Sequence, residues 1–284
     1  MRVPEIRWAA HIRLIVELFI IFNLAFLALE IFLAHSIDEF RDAREWIPFY
    51  FSLVATALLV LDLIGRRIVQ KVTAHLGLVV GLAAIVIGIG GIVLHLQSEF
   101  WYHPSMGSLV YRAPFTAPLA YIGLGILLIV NRYASTQERN WGQYVTLLGL
   151  CGFLVAFVMV LLDHAQNGFF YIAQLLPVFS CALTVGFLTV VLLGNPSRLL
   201  LNLCFGFIVI QGIAGLGGFY YHLVANLDGP YSSMYDNFIY GAPIFVPLLF
   251  VDLSLLSAIG LWHMRSKMEV EGQLSEPVKM DTLG

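Results

Sequence analysis

The sequence predicts an all-α membrane protein of eight transmembrane helices, arranged as two tandem, parallel four-helix repeats with the N and C termini in the cytoplasm. Three observations predict it. Of 284 residues, 60% are hydrophobic and 12% charged, against about half and about a quarter in an average soluble domain. The apolar residues gather in stretches that suit the roughly 20 residues needed to cross a hydrocarbon core of about 30 Å. Lastly, Gly88, Gly90, Gly91, His95 and Leu96 recur at one constant offset as Gly215, Gly217, Gly218, His222 and Leu223. At an offset two residues longer, Tyr111, Ala113, Pro114, Pro118 and Leu119 recur as Tyr240, Ala242, Pro243, Pro247 and Leu248. Self-similarity at a fixed spacing is the mark of a duplicated unit.

The first apolar stretch, 14–35, is interrupted by Asn23 and Glu30, and no small-residue cleavage site follows it, so it reads as a retained helix and not a signal peptide. A charged outer loop, Ser36 to Trp46, leads to the second stretch, 47–65. The third, 73–96, carries the first Gly-x-Gly-Gly segment and His95. The fourth, 113–131, opens on Pro114, a position in the first turn of a helix where no backbone donor is needed. Pro118, four residues on, then leaves the Pro114 carbonyl without its helical partner. The fifth stretch, 143–163, ends beside Asp163 and His164, and the Asn167-Gly168 pair that follows suits a tight turn with positive backbone angles.

The sixth stretch is 169–193, and the brief connection Asn195, Pro196, Ser197, Arg198 makes it an antiparallel neighbour of the seventh, 199–222. That seventh stretch repeats the glycines and the histidine of the third, and the eighth, 242–263, opens on Pro243 and Pro247. Residues 1–140 and 141–265 therefore form the two membrane repeats. Residues 266–284 are polar and unpatterned, as expected of a disordered cytoplasmic tail. The first hairpins match more weakly, through Leu33, His35, Pro48 and Gly65 against Leu162, His164, Pro177 and Gly194. Equivalent points lie four spans apart, so the repeats are parallel, related by a pseudo-two-fold axis along the membrane normal, with any shared site at their interface.

Lys and Arg beside the spans are retained on the cytoplasmic side. Arg2, Arg7, Arg13, Arg66, Arg67, Lys71, Arg132, Arg139, Arg198, Arg265, Lys267 and Lys279 fall on one side, and only Arg41, Arg44 and Arg112 on the other. A multi-pass protein of the cell membrane is expected, with the lipid bilayer as its partner and other membrane or redox subunits beside it. The formal net charge of -3 supports no nucleic-acid partner. No hydrolase elbow, Walker loop or zincin helix is present, and the glycines follow no strand, so neither hydrolysis nor nucleotide use has a positive case. Cys151, Cys181 and Cys204 lie inside spans without paired spacing and read as small packing residues.

His35, His95, His164 and His222 each close an odd-numbered helix at its outer end. Helix C-termini carry partial negative charge, and imidazole suits copper, iron, zinc or haem iron. These four histidines are the expected metal ligands; the alternative is that each caps carbonyls or bonds a nearby loop. Glu30, five residues before His35, and Asp163, beside His164, are expected to orient the rings or relay protons. Glu99 offers a further carboxylate, with a solvated loop as its other reading. Gly90, Gly91, Gly217 and Gly218 clear one helix face below the histidines, either for tight helix packing or for a flat cofactor such as haem.

Asp252 lies near the middle of the eighth stretch, where a carboxylate is costly and faces the bundle interior. Gln211 should share its depth, so the two are expected to bond or to mark a proton or ion path. Asp62, four residues before Arg66, is expected to form a local ion pair. Trp101, Tyr102, His103, Tyr231, Tyr235 and Tyr240 read as an interfacial aromatic belt. The leading expectation is a membrane protein binding a transition metal or haem at an outward-facing histidine layer, for electron transfer or metal-dependent redox chemistry. If it is an enzyme, it is a membrane oxidoreductase component. The alternatives are a small-solute or ion transporter using Asp252 and Gln211, and a non-catalytic membrane subunit.

Overall fold

The computed structural model describes residues 4–65, 70–108, 114, 116–194 and 196–275, and among them there is no strand. The helices are α1 (Pro4–Ser36), α2 (Trp46–Gly65), α3 (Gln70–His95), α4 (Leu119–Tyr133), α5 (Arg139–Gln166), α6 (Leu175–Leu193), α7 (Arg198–Leu227), α8 (Met234–Tyr240) and α9 (Leu248–Ser275). Seven of them, all but α4 and α8, are long and apolar enough to cross a membrane. The chain therefore has the character of a multi-pass membrane protein.

The expected fourth span is shorter than its hydropathy suggests, because α4 has 15 residues and at 1.5 Å per residue reaches only about 22 Å. The cause is the proline pair. Between Pro114 and Pro118 the backbone closes turns, Ala117 N–H to the Pro114 carbonyl at 3.1 Å and Leu119 N–H to Thr116 at 3.0 Å, and the helix starts only beyond the second proline. The same happens before α9, where Leu248 N–H reaches Phe245 at 2.9 Å. That helix recovers its length at the other end by running on to Ser275. Residues 266–275, expected in a disordered tail, are thus helical. Arg265 ties this end down, with Nη1 donating to Asn202 Oδ1 at 2.8 Å and Nε lying 3.3 Å from Glu269 Oε1 one turn on.

α1 packs on α2, α3 on α4, α6 on both α5 and α7, and α9 on both α5 and α7. Apolar residues surround most of these helices, so the choice of contact face falls to small residues that let backbones approach. A Cβ added to Gly125 on α4 would stand 2.5 Å from the Gly81 carbonyl oxygen on α3. One added to Gly149 on α5 would stand 2.1 Å from Ser257 Oγ on α9. Two apolar cores result. Ile20, Leu24, Leu59, Leu127 and Trp141 belong to one, and Phe153, Cys181, Leu188, Cys204 and Leu261 to the other. Cys181 and Cys204 are buried packing residues, whereas Cys151 is exposed.

A charged cluster lies inside the first half. Arg132 Nη2 donates to Asp62 Oδ2 at 2.6 Å and to Glu17 Oε1, and all three side chains are buried. The expected partner of Asp62, Arg66, lies outside the described residues. Gly77 on α3 makes room, since a Cβ there would stand 3.1 Å from Arg132 Cγ.

Candidate outer histidine site

His35 stands in the last turn of α1. After it the chain reverses sharply, with Phe40 N–H returning to the His35 carbonyl at 3.1 Å and with Glu39 and Phe40 at φ 57° and 52°, a region L residues seldom occupy. The reversal is held by Phe40, stacked on Trp46 with ring centroids 4.0 Å apart. It is also held by Asp42, which accepts the Arg44 N–H at 2.9 Å and so caps the short turn Ala43–Glu45. The Arg44 guanidinium hydrogen-bonded to Asp42 holds that exposed carboxyl down to about 2, so the cap stays ionised. The loop thereby carries Glu45 back over the helix end, where its Oε2 lies 3.6 Å from His35 Nδ1, an ion-pair distance.

His95, the last residue of α3, lies beside it: the two imidazoles have centroids 6.3 Å apart and planes at 72°. His95 Nδ1 is 3.0 Å from the Pro114 carbonyl oxygen. A carbonyl only accepts, so Nδ1 carries the hydrogen and, in the neutral ring, the lone pair sits on Nε2. This is the carbonyl that Pro118 withdraws from helical pairing. The glycines bring it within reach: a Cβ on Gly88 would stand 2.8 Å from the Pro118 oxygen, and one on Gly91 2.8 Å from Pro118 Cβ.

The second half repeats the arrangement. His222 Nδ1 is 2.9 Å from the Pro243 carbonyl oxygen, while Cβ atoms on Gly215 and Gly218 would stand 2.8 Å from the Pro247 oxygen and 2.9 Å from Pro247 Cβ. His164 Nδ1 lies 3.7 Å from Asp163 Oδ2 and within electrostatic range of His222. The turn beyond it uses Gly168 at φ 66° and, less expectedly, Phe169 at φ 50°. The structure therefore brings the His35 and His95 rings together, whereas no ring contact joins His164 to His222 among the described residues. Among the described residues no ring contact joins His35 or His95 to His164 or His222, and no group of three His, Cys, Asp or Glu side chains could hold a metal ion.

Other predicted site residues divide. Gly91 and Gly218 spend their missing side chains on the prolines, leaving no clearance for a flat cofactor on that face, whereas Gly90 and Gly217 have no heavy atom within 4 Å of a Cβ position. Asp163 stands beside its histidine as expected. Glu30 lies below His35, within electrostatic range of Asp252 and Tyr121. Asp252 does not meet Gln211: Asn23 Nδ2 donates to Asp252 Oδ1 at 3.2 Å, and the buried Gln211 accepts from Ser180 Oγ at 2.5 Å. Depth along the membrane was the basis for pairing them, but α9 turns Asp252 toward α1 while α7 turns Gln211 toward α6. The Glu99 side chain lies outside the described residues.

Sequence reasoning passed over the contacts of four polar side chains, Glu45, Tyr121, Glu17 and Arg132. Glu45 sits in a loop read only as charged, and its reach to His35 depends on the left-handed reversal at Glu39 and Phe40. Tyr121 donates to the Pro48 carbonyl at 2.8 Å and lies 2.5 Å from Ser52 Oγ, a contact with no spacing signal. Glu17, inside the first apolar stretch, and Arg132, just after the fourth, left no spacing signal that would pair them. No protein-family model, no curated protein and no solved structure matches the chain.

Proposed function

We propose that this is a cell-membrane protein of eight transmembrane helices in two parallel four-helix units, termini cytoplasmic, which binds a transition metal or haem through His35, His95, His164 and His222. Its task in this reading is electron transfer or metal-dependent redox chemistry, with lipid and other redox subunits as partners. One observation carries the reading. Proline carbonyls hold His95 and His222 at Nδ1, at 3.0 and 2.9 Å, and a carboxylate oxygen stands 3.6 and 3.7 Å from Nδ1 of His35 and His164, beyond hydrogen-bond length. Metal-ligating histidines are oriented in this way, the second ring nitrogen facing a carboxylate or backbone carbonyl that sets the tautomer and raises ligand basicity. A cap on helix carbonyls explains His95 and His222 but not the carboxylates facing His35 and His164.

A bound redox metal would supply one-electron exchange near the outer surface. The residues of this chain would do the rest: the imidazoles would ligate, the Pro114 and Pro243 carbonyls would hold the tautomers of His95 and His222, Glu45 and Asp163 would stand beside His35 and His164, and Phe40 would pack on His35. Metal analysis and an absorption spectrum of the detergent-purified protein test this. Stoichiometric metal or a Soret band that falls when the four histidines are changed to alanine is expected. Unchanged content in those variants would sink the proposal.

A proton or ion path is the second reading, favoured by the Asn23–Asp252 contact with Glu30 in range. It predicts flux through reconstituted vesicles that Asp252→Leu abolishes.

A further inference from the structure

We infer that the chain carries two separate haem sites, one in each half, each ligated by two histidines through Nε2: His35 with His95, and His164 with His222. This rests on the metal-or-haem reading above and names the cofactor, its number and the ligating atoms.

The donor set points to haem over a bare ion. A porphyrin supplies the equatorial nitrogens of its iron, so two imidazoles complete the coordination, whereas a bare zinc or copper ion takes about four protein or water ligands. Among the described residues no third His, Cys, Asp or Glu joins either pair in a metal-holding group.

The spacing agrees. With metal–nitrogen bonds of about 2 Å, two imidazoles facing each other across one metal have centroids roughly 6 Å apart, and those of His35 and His95 are 6.3 Å apart. Nδ1 of each is turned to Glu45 or to the Pro114 carbonyl, so Nε2 is the atom each presents for ligation.

Separateness follows from the partners. The carbonyl that orients His95 belongs to the turn before α4, and the one that orients His222 to the turn before α9. The carboxylates likewise come from within each half, Glu45 for His35 and Asp163 for His164. Each histidine thus draws its neighbouring carbonyl or carboxylate from its own half, and the pairing of His164 with His222 is carried over from His35 and His95 by the sequence repeat.

Ferric haem b titrated into the detergent-solubilised full-length chain provides the test. Two equivalents should bind, with low-spin bis-imidazole spectra. His35→Ala or His95→Ala should leave one equivalent, and His164→Ala or His222→Ala should leave the other. Added imidazole should restore the low-spin spectrum in each variant. The ring planes at 72° further predict that the haem lost with His95 is the source of a strongly anisotropic low-spin EPR signal. Should an alanine variant fold poorly, His95→Met and His222→Met keep an axial ligand, and each should shift the spectrum and potential of one haem only.

One equivalent, lost on changing any of the four histidines, overturns the two-site inference and leaves the cofactor reading standing. Stoichiometric copper or zinc with no haem overturns the haem assignment alone. Two equivalents retained in every variant make the binding nonspecific and overturn the inference. A chain that takes neither haem nor metal overturns the underlying reading as well.

Discussion

The two halves agree at the histidine end and disagree at the opposite one. At the histidine end, His95 and His222 meet the Pro114 and Pro243 carbonyls at nearly the same distance, and Gly91 and Gly218 seat the same proline carbons. At the opposite end, the first half buries Glu17, Asp62 and Arg132, while the positions matching them at the proline offset are Thr146, Val191 and Leu261, all fully buried without charge. Gly77, which makes room for the guanidinium, corresponds at the glycine offset to Cys204, buried in the second core. The second half therefore keeps the glycine–proline–histidine joint without the ions. Charges withdrawn from water lose solvation that their mutual attraction only roughly returns, so apolar residues of similar volume can stand in their place.

That comparison breaks most visibly at Arg132. Changing it alone to leucine withdraws the guanidinium facing both carboxylates and should cost about 3–5 kcal/mol, the usual loss when one partner of a buried ion pair goes. The triple change Glu17→Thr, Asp62→Val, Arg132→Leu, which writes the second half's residues into the first, should recover most of it. Reversible unfolding in mixed micelles measures both. A triple variant as unstable as the single one would show that the first half depends on its ions.

Next in size are the glycines. Alanine at Gly91 or Gly218 would push a Cβ to within 2.8 or 2.9 Å of a proline carbon and should cost about 1–3 kcal/mol through overpacking, to the same extent in both halves. Alanine at Gly90 or Gly217, where nothing lies within 4 Å, should be neutral or slightly stabilising, by less than about 1 kcal/mol. The same unfolding assay separates the two classes, and equal losses at all four sites would contradict the packing described.

A smaller effect tests the joint itself. His222→Phe removes the hydrogen bond to Pro243 and should cost about 0.5–1.5 kcal/mol, with faster hydrogen exchange in the turn before α9 as its local sign. No change there would mean that the imidazole does not hold the turn. Smallest of all is the contact between halves: Asn23→Leu should cost about 0.6 kcal/mol, typical of a hydrogen bond between membrane helices. Asp252→Asn, which can still accept from Asn23, should cost less.

Much of the outer site was legible because its parts are local. A second proline four residues after the first must free a carbonyl, and a histidine ending the preceding span lies within reach of it. Hence the freed carbonyls of Pro114 and Pro243 follow from spacing, and that His95 and His222 take them does not. The helix starts were misplaced for the same local reason, since α4 and α9 begin after Pro118 and Pro247 and not at Pro114 and Pro243. Glu45 was out of reach of such reasoning because backbone reversal at non-glycine residues has no composition cue.

What the sequence alone determined is the number and length of apolar stretches, the duplicated Gly-Pro-His joint and the placing of the histidines at one end. Tertiary structure alone decided which residues face each other: Asp252 toward Asn23, Gln211 toward Ser180, Arg132 toward Glu17 and Asp62, and each histidine toward a partner in its own half. The reason is that a helix apolar on every side has no hydrophobic period to show how it is turned. Its rotation is settled when small residues such as Gly81, Gly125 and Gly149 let one backbone settle against another.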